Sequence, residues 1–586
     1  MKSLVFYLVF SFLFLSKNIG VVEMHDLEAR RTHVVYMGSS NSSAAKDMLN
    51  KLVENVVQRN EVRVYQHGFL GFAAPLSVLE AAELATHPAV VSVFPDPILK
   101  LQTTRSWDFL KAETSSFRRV THIASSPKKS DTIIGILDTG VWPESESFND
   151  KGMHPIPSRW KGECMEGSNF KSSNCNRKLI GARYYKLGKS IAVSPRDTDG
   201  HGTHVASTAG GNPVHNASFY GIAAGTARGA APSTRIAVYR VCKGDNCFGS
   251  AVLAAFDDAI KDGVDVLSLS IGVVKPKSPL FKDPIAIGSF HAVQKGITVV
   301  CAAGNFGPSP QSVANFAPWI ITVGATTIDR FFESRIVLGN KRVFQGEGIN
   351  FYALKKSPVY ELVDGSGNET RICKPKSLVE KSKVNGKIVL CNFDRGYDPY
   401  QLRSSKAVGV IGIRGKLNSE AKFFGILPAT VILSKDASKI SKYIGSSRKP
   451  VATILATRSV FPHKPAPIVP NFSARGPVFG LANLIKPDIV APGVQILASW
   501  IDNDPHITFP GKEAPQFSII SGTSMACPHV SGIVVVIKSH NPTWTPAIIR
   551  SAIMTTAIGT DNLKEPIQQQ QQHQSLNPKM IWGRLT

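Results

Sequence analysis

The sequence predicts an α/β fold in which a parallel sheet carries helices on both faces. From Asp131 onward, apolar runs of strand length alternate with segments of helical spacing. Strands that follow one another through helices pair in parallel, and the helices then cover both sides of the sheet. The strands are predicted at 133–137, 236–241, 264–270, 297–302 and 320–323, and the helices at 252–262, at 285–295 and directly after His201.

A smaller unit precedes this sheet. Its strand-length apolar segments lie at 33–37, 62–65, 71–74 and 90–94, and helical spacing occurs at 44–57 and 79–85. The order β-α-β-β-α-β predicts a ferredoxin-like α+β unit. The pattern changes again between residues 337 and 458, where the segments 386–391, 407–412 and 427–432 predict a separate β-rich module inserted into the larger domain.

The first 20 residues predict a secretory signal peptide, because Met1 and Lys2 precede a short apolar core. That core is too short for a membrane span of about 20 residues. The chain of 586 residues has a net charge of +24, but only 19% of its residues are charged and it contains no long Lys/Arg block. This pattern favours a basic extracellular protein over a nucleic-acid binder.

The cysteines are compatible with an oxidising compartment. Three pairs are plausible disulfides, although the sequence leaves the connectivity open: Cys164 with Cys175, Cys242 with Cys247, and Cys373 with Cys391. Cys301 and Cys527 are expected to be free and buried. The N-x-S/T sites are Asn41, Asn216, Asn368 and Asn471, the last in a segment that is expected to be packed.

Three polar residues carry the candidate chemistry. Ser524 lies where a loop of small residues opens an apolar helix, so backbone N–H groups and the helix dipole would stabilise an anion beside it. An isolated serine in this position is more often a helix cap. However, Asp138 ends a predicted strand and His201 opens a small-residue helix. A serine nucleophile needs such a base, and the base needs an acid that fixes its tautomer.

The segments GILDTGVWPESESF, DTDGHGTHVAS and SGTSMACPHVSG resemble the three active-site blocks of subtilisin-like serine proteases, in the chain order Asp, His, Ser known for that group. The surrounding sequence resembles the cucumisin-like branch from plants. The resemblance implies a subtilisin-like fold with a catalytic triad of Asp138, His201 and Ser524. It assigns an oxyanion-hole role to Asn305. It assigns pairing with the substrate backbone to three successive residues, Ser270, Ile271 and Gly272.

The resemblance also implies a domain organisation. The predicted parts are the signal peptide 1–20, an inhibitory prodomain 33–102, the peptidase domain 103–336 and 459–560, an inserted protease-associated domain 337–458 and a disordered polar tail 561–586. The tail stands where the group usually has a C-terminal fibronectin-like domain. The prodomain would be removed by cleavage after Gln102, and its last residues would lie in the substrate cleft as a product.

These observations predict a secreted serine endopeptidase of the apoplast or cell wall. It would cleave proteins or peptides after autocatalytic removal of its prodomain, which also serves as an intramolecular inhibitor. No cofactor, metal, nucleic acid or membrane partner is predicted for the mature chain. The alternative is an inactive or unstable truncated relative that retains peptide binding only.

Two other classes of protein fit single motifs. Asp138-Thr139-Gly140 resembles an aspartic-protease motif, but the sequence lacks the second D-T/S-G that would supply a facing carboxylate. His201 and His204 could bind a metal, but no third ligand of matching spacing accompanies them. His204 is expected to pack under the sheet instead.

Overall fold

The computed structural model describes residues 30–38, 43–57, 62–96, 98–101, 107–111, 131–185, 193–244, 246–273, 279–351, 354–366, 373, 381–393, 399–413, 427–509 and 511–570. The predicted signal peptide and the bond after Gln102 lie outside these residues. In the part of the chain that is described, no helix is both long enough and apolar enough to cross a membrane.

The N-terminal unit has the predicted ferredoxin-like order. Its elements are β1 (Arg31–Gly38), α1 (Ser43–Val57), β2 (Arg63–Tyr65), β3 (Leu70–Leu76), α2 (Val78–Thr86) and β4 (Ser92–Pro95). The strands form an antiparallel sheet in the order β2-β3-β1-β4. Leu49 and Leu52 of α1 and Ala81 of α2 are buried against Val35 and Phe72, so both helices cover one face of this sheet.

The large domain follows two short elements, β5 (Ile98–Leu101) and α3 (Trp107–Lys111). Its first part alternates strands and helices. The elements are β6 (Ile133–Asp138), β7 (Leu179–Tyr184), α4 (His201–Gly210), β8 (Val214–Phe219), β9 (Ile222–Ala227), β10 (Arg235–Arg240), β11 (Cys242–Lys243), β12 (Asn246–Phe248), α5 (Gly249–Asp262), β13 (Val266–Leu269), β14 (Ile271–Val273), α6 (Pro284–Gln294), β15 (Thr298–Ala302) and β16 (Ile321–Thr326).

The next segment forms a second sheet with its own buried cluster. The elements are β17 (Phe331–Glu333), β18 (Ile336–Leu338), β19 (Val343–Phe344), β20 (Tyr360–Asp364), α7 (Lys381–Val384), β21 (Ile388–Asn392), α8 (Pro399–Ser404), β22 (Gly409–Ile413), β23 (Ala429–Ile432), α9 (Ser434–Ser446), β24 (Val451–Ile454) and β25 (Arg458–Val460). Seven of these strands pair in the order β19-β18-β24-β20-β21-β22-β23. Ile336, Leu390 and Ile454 are buried together in its core.

The chain then returns to the large domain. Its last elements are β26 (Ile468–Val469), β27 (Ile489–Pro492), β28 (Ile496–Ser499), β29 (Phe517–Ile520), α10 (Thr523–His540), α11 (Pro546–Thr555) and β30 (Gln568–Gln569). The central sheet has the order β27-β16-β15-β13-β6-β10-β7, and every neighbouring pair is parallel. The parallel sheet is therefore confirmed, although the prediction omitted its edge strands β7 and β27.

Helices cover both faces of the central sheet, as predicted. On one face α4 and α10 pack through small and branched residues such as Ala206 and Val534. On the other face α5 and α6 pack through Phe256 and Ile285. All residues of α10 from Thr523 to Val536 are buried, so this helix runs through the core of the domain.

The prediction of a disordered tail from residue 561 is wrong for residues 561–570. Strand β30 pairs in parallel with β26, and Asp561 is buried. The Asn562 side chain donates to His463 O over 3.0 Å, and its backbone N–H donates to Ala466 O over 2.7 Å. These hydrogen bonds satisfy backbone carbonyl groups in the segment before β26, and they hold the polar residues of the tail in place.

The three predicted disulfides are confirmed. Cys164 bonds to Cys175, Cys242 to Cys247, and Cys373 to Cys391. Cys301 and Cys527 are free and buried. The Cys242–Cys247 bond closes the hairpin of β11 and β12.

A buried ionic cluster holds the edge strand β27. The Lys486 ammonium, fully buried, donates to Asp488 over 2.5 Å and to Ile320 O over 2.8 Å. Asp488 also accepts from Thr322 N of β16 over 2.7 Å and from Arg550 over 2.6 Å. Burial lowers the pKa of Lys486 to about 8. The cluster joins β16, β27 and α11. It does so only while Lys486 and Asp488 are both charged.

We expect Lys486→Met to lower the free energy of unfolding by about 3–5 kcal/mol, because Asp488 and a carbonyl oxygen lose a buried partner. Urea denaturation measures this. The matched control is Lys439→Met, which breaks an exposed pair with Asp436 and should change stability by less than about 1 kcal/mol. Equal effects of the two substitutions would contradict the prediction.

Candidate active site

The proposed acid and base lie at one edge of the central sheet. Asp138 is the last residue of β6, and His201 is the first residue of α4. His201 Nδ1 and Asp138 Oδ1 are 2.5 Å apart. Both residues are buried, since the exposed fraction is 6% for His201 and 0% for Asp138. A carboxylate at Nδ1 fixes the imidazole tautomer in which Nε2 carries the lone pair that can accept a proton.

The loop before His201 is held by a buried carboxylate that the sequence analysis missed. Asp197 accepts from the N–H groups of Asp199, Gly200 and Thr203 over 2.9–3.0 Å, and also from the Thr203 hydroxyl. An aspartate two and three residues before bonded N–H groups is a common turn pattern, so the sequence did contain a signal for it. This carboxylate fixes the entry of the chain into α4 and hence the position of the base.

The close approach of α4 to β6 needs a glycine. A Cβ atom on Gly202 would lie 2.4 Å from Gly140 O. The Gly202 N–H donates to Thr139 Oγ1 over 2.7 Å. The glycine next to the base therefore allows the helix to contact the residues that follow Asp138.

The proposed nucleophile, Ser524, is the second residue of α10 and is fully buried. Its hydroxyl donates to Ser270 O over 2.6 Å, and the Ser270 hydroxyl donates to Ser524 O over 2.7 Å. These reciprocal bonds join the start of α10 to the residue between β13 and β14.

Asn305 lies beside the start of α10, three residues after β15. Its Oδ1 accepts from Thr523 N over 3.1 Å and from Thr523 Oγ1 over 3.2 Å. Thr523 Oγ1 in turn accepts from Gly304 N over 3.1 Å. Because the Oδ1 atom of Asn305 accepts these two hydrogen bonds, its Nδ2 atom is the part of the side chain that can donate a hydrogen bond. The sequence analysis did not identify Thr523, because its contact is with a distant part of the chain.

The strand β5 occupies the cleft beside these residues. It pairs antiparallel with β14, where Leu101 is opposite Ile271 and Lys100 is opposite Gly272. Its other edge pairs antiparallel with β12. The predicted substrate-pairing residues Ile271 and Gly272 therefore pair with the segment that follows the N-terminal unit.

The N-terminal unit itself rests on α5 through acidic residues. Asp257 accepts from the N–H groups of Gln66 and His67 over 2.9 and 2.7 Å, and from that of Gly68. Arg63 pairs with Asp258 over 2.9 Å. Burial raises the pKa of Asp257. The sequence analysis predicted α5 but not these contacts, although two adjacent acids within an apolar helix were visible.

His204 is not available as a metal ligand in this arrangement. It is fully buried, and its Nε2 lies 3.2 Å from Ile496 O. Burial and the neighbouring His201 hold the pKa of His204 well below its usual range. Among the described residues, no group of His, Cys, Asp and Glu has the arrangement of a metal site.

Cys527 lies one turn after Ser524 in α10, under the site. Its Sγ is 3.5 Å from Leu269 O and 3.4 Å from Val300 O, on the two neighbouring strands. Burial raises the pKa of this thiol to about 11. Cys527 is thus a packed, protonated side chain.

Comparison with known proteins identifies two families. The Subtilase family matches residues 129–579, and Peptidase inhibitor I9 matches residues 32–102. The CO(2)-response secreted protease of Arabidopsis thaliana is 50% identical over 96% of this chain and 76% of that protein. Subtilisin-like protease SBT5.1 of the same species is 47% identical over 94% of this chain and 74% of that protein. Fervidolysin from Fervidobacterium pennivorans, a keratinolytic enzyme related to subtilisin, matches 92% of this chain and 60% of its own, with a TM-score of 0.43 and 15% identity.

The parallel sheet, the cleft and the family matches define a serine peptidase that carries its own inhibitor-type prodomain. The chain belongs to the subtilase family, and it is a subtilisin-like serine protease with an I9 prodomain. The alternative of an inactive relative finds no support in these comparisons.

We expect the thiol of Cys527 to resist alkylation in the native protein, because it is buried and protonated at neutral pH. Iodoacetamide at pH 8 followed by mass spectrometry should find no modification before unfolding. After unfolding without a reductant, two thiols per chain should react, Cys301 and Cys527. Rapid modification of Cys527 in the native state, or more than two reactive thiols after unfolding, would contradict the structure.

Proposed function

We propose that this chain is a secreted serine endopeptidase that removes its own prodomain and then cleaves other proteins or peptides. In this proposal Ser524 is the nucleophile, His201 the base and Asp138 the residue that orients the base. Asn305 Nδ2 and the Ser524 N–H stabilise the oxyanion. The observation that supports it most directly is the position of β5 in the cleft.

The end of β5 supports a proposal for the bond that is cleaved. Leu101, the last residue of β5, is opposite Ile271, and Lys100 is opposite Gly272, so β5 ends opposite the residue that directly follows Ser270. Ser270 O is the atom that accepts the Ser524 hydroxyl proton. Because β5 ends directly before position 102 and opposite the residue that follows Ser270, we propose the Gln102–Thr103 bond as the site of self-cleavage.

The first chemical step needs a rotation of the nucleophile. Because the Ser524 hydroxyl donates to Ser270 O in this structure, it must turn toward His201 Nε2 before its proton can be removed. Attack on the carbonyl carbon then produces an oxyanion next to Asn305 and the start of α10, where N–H donors and the helix dipole stabilise it. His201 then gives the proton to the leaving amine as the intermediate collapses to an acyl-enzyme, while Asp138 holds the imidazole in place. A water molecule that gives up its proton to His201 then attacks the ester, and the proton returns to the Ser524 oxygen as the carboxyl product leaves.

Secretion of this chain is also a proposal. It is supported by the predicted signal peptide, by three disulfides, which persist in oxidising compartments, and by the name of the secreted Arabidopsis relative. We propose the apoplast or cell wall as its location, and N-glycosylation at the exposed Asn216. We also propose that residues 337–458, which include most of the second sheet, are a protease-associated domain.

Ser524→Ala should abolish self-cleavage, because it removes the proposed nucleophile. We expect the parent to appear in the medium with a new N-terminus at Thr103, and the variant to keep the prodomain covalently attached. N-terminal sequencing and a fluorophosphonate label for active serines measure both properties. The control is Ser531→Ala, since Ser531 lies in the same helix but its hydroxyl bonds to Ser268 and Cys527 O. Cleavage at Thr103 in the Ser524→Ala form would refute the assignment of the nucleophile.

Asp257→Ala should weaken prodomain binding at least tenfold, because three backbone N–H groups lose a charged acceptor worth about 1.5–3 kcal/mol. The measurement is the rate at which activity appears when the cleaved complex is diluted. Glu361→Ala, which removes an exposed pair with Lys387 in the second sheet, serves as the control. An unchanged rate for Asp257→Ala would show that the contacts with α5 do not hold the inhibitor.

A further inference from the structure

We propose that Asn315 is a positioning residue that sets the distance between the two walls of the pocket for the residue before the scissile bond. Its side-chain amide joins the substrate-pairing strand to the segment that carries Asn305. This inference rests on the proposed function, and it adds a residue that neither the motifs nor the triad geometry indicates.

The two walls are the strand that pairs with the substrate and the segment that carries Asn305. They separate where the pairing of β13 with β15 ends. Strands β13 and β15 pair in parallel up to Leu269 and Cys301, and the register ends there. Beyond that point one chain continues into β14 and pairs with β5, while the other leads through Ala302 to Asn305. No ladder hydrogen bond fixes the spacing of the walls in this opening.

The Asn315 amide spans this opening. Its Nδ2 donates to Ile271 O over 2.7 Å and to Ala302 O over 2.8 Å, so one group holds both walls. Asn315 is 3% exposed, and bonds made in such a buried place are protected from competition with water. A Cβ atom on Gly272 would lie 3.1 Å from the same Nδ2, so the amide is directly behind the strand that pairs with the substrate.

The backbone around Asn315 is fixed as well. Its φ is +53°, in the left-handed region that asparagine and glycine tolerate. The Thr322 hydroxyl donates to Asn315 O over 2.6 Å, and Ala314 N donates to Ala303 O over 2.7 Å. The backbone that carries the Asn315 amide is therefore fixed. As a result, the amide sets a defined distance between Ile271 O and Ala302 O.

The two carbonyl groups that bind Asn315, those of Ile271 and Ala302, belong to segments that position the reacting groups. Ile271 directly follows Ser270 and is opposite Leu101 of β5, so its carbonyl belongs to the strand that pairs with the acyl side of the substrate. Ala302 lies three residues before Asn305, so displacement of Ala302 moves the oxyanion donor. Displacements of about 1 Å at such positions reduce rates on the order of 10²-fold. Removal of the Asn315 amide should therefore affect kcat and the preference for the residue before the scissile bond.

Two substitutions separate the amide from the backbone conformation. Asn315→Gly keeps the left-handed φ but removes the side chain. Asn315→Asp keeps the shape but replaces the donor by an oxygen that faces two carbonyls. The control is Asn169→Gly, since Asn169 is also left-handed, with φ of 57°, but is exposed and outside the cleft.

The assay uses the mature proteases and peptides that carry Ile-Leu-Lys-Leu followed by Gln, Leu or Ala before the scissile bond. Active sites are counted with a fluorophosphonate, so that rates refer to folded enzyme. We expect both Asn315 variants to lose about 10- to 100-fold in kcat/KM, mainly in kcat because oxyanion stabilisation acts in the transition state. The differences among the three peptides should also become smaller. Asn169→Gly should behave as the parent.

The pH profile of Asn315→Asp gives a second readout. A protonated carboxyl can donate one of the two lost hydrogen bonds, so the deficit relative to the parent should decrease as the pH falls. A residue that only stabilises the fold would lower the thermal midpoint and the number of titrated sites. If kcat per site, peptide preference and the pH dependence of the deficit are unchanged in both variants, the inference is overturned. If the parent neither labels nor turns over, the proposed function fails first, and this inference fails with it.

Discussion

The site depends on the point at which two neighbouring parallel strands stop pairing. The carboxyl ends of parallel strands meet at one edge of a sheet, and the gap that opens there is where such folds bind ligands. Here β13 and β15 separate after Leu269 and Cys301, and β6 ends beside them at Asp138. The strand proposed to pair with the substrate, the Asn305 segment and the carboxylate proposed to orient the base are therefore neighbours because of the strand order.

The buried helix α10 supplies the remaining group. Ser524 is carried to the same edge because α10 packs along the sheet with all of its first fourteen residues buried. The reciprocal bonds between Ser524 and Ser270 then attach the proposed nucleophile to the residue directly before β14, the strand proposed to pair with the substrate. In that proposal, one short stretch of chain sets the positions of both the substrate backbone and the nucleophile.

Much of this arrangement could be predicted from local patterns. Apolar runs indicated the central strands, and three motifs indicated Asp138, His201 and Ser524. The edge strand β27 was missed because it is four residues long and ends in Pro492, and α9 was missed because its charged residues hide a narrow apolar face that includes Ile440. The contacts of Asp257 and Asn315 could not be predicted, because each joins residues that are distant in the sequence. The ordered part of the tail escaped prediction for the same reason, since its partners lie about a hundred residues earlier.

The contacts of the prodomain also show why inhibition can outlast cleavage. Strand β5 is held at both edges through residues 98–101, all of which precede the bond proposed for cleavage. The N-terminal unit bonds to α5 through residues 63–68 and through Asp96, which also precede that bond. Hydrolysis at the proposed bond after Gln102 would therefore remove none of these contacts, and the product would stay bound by the same hydrogen bonds that held the uncut chain. Release would then require these contacts to weaken, and those on α5 can weaken without any change in the proposed catalytic groups.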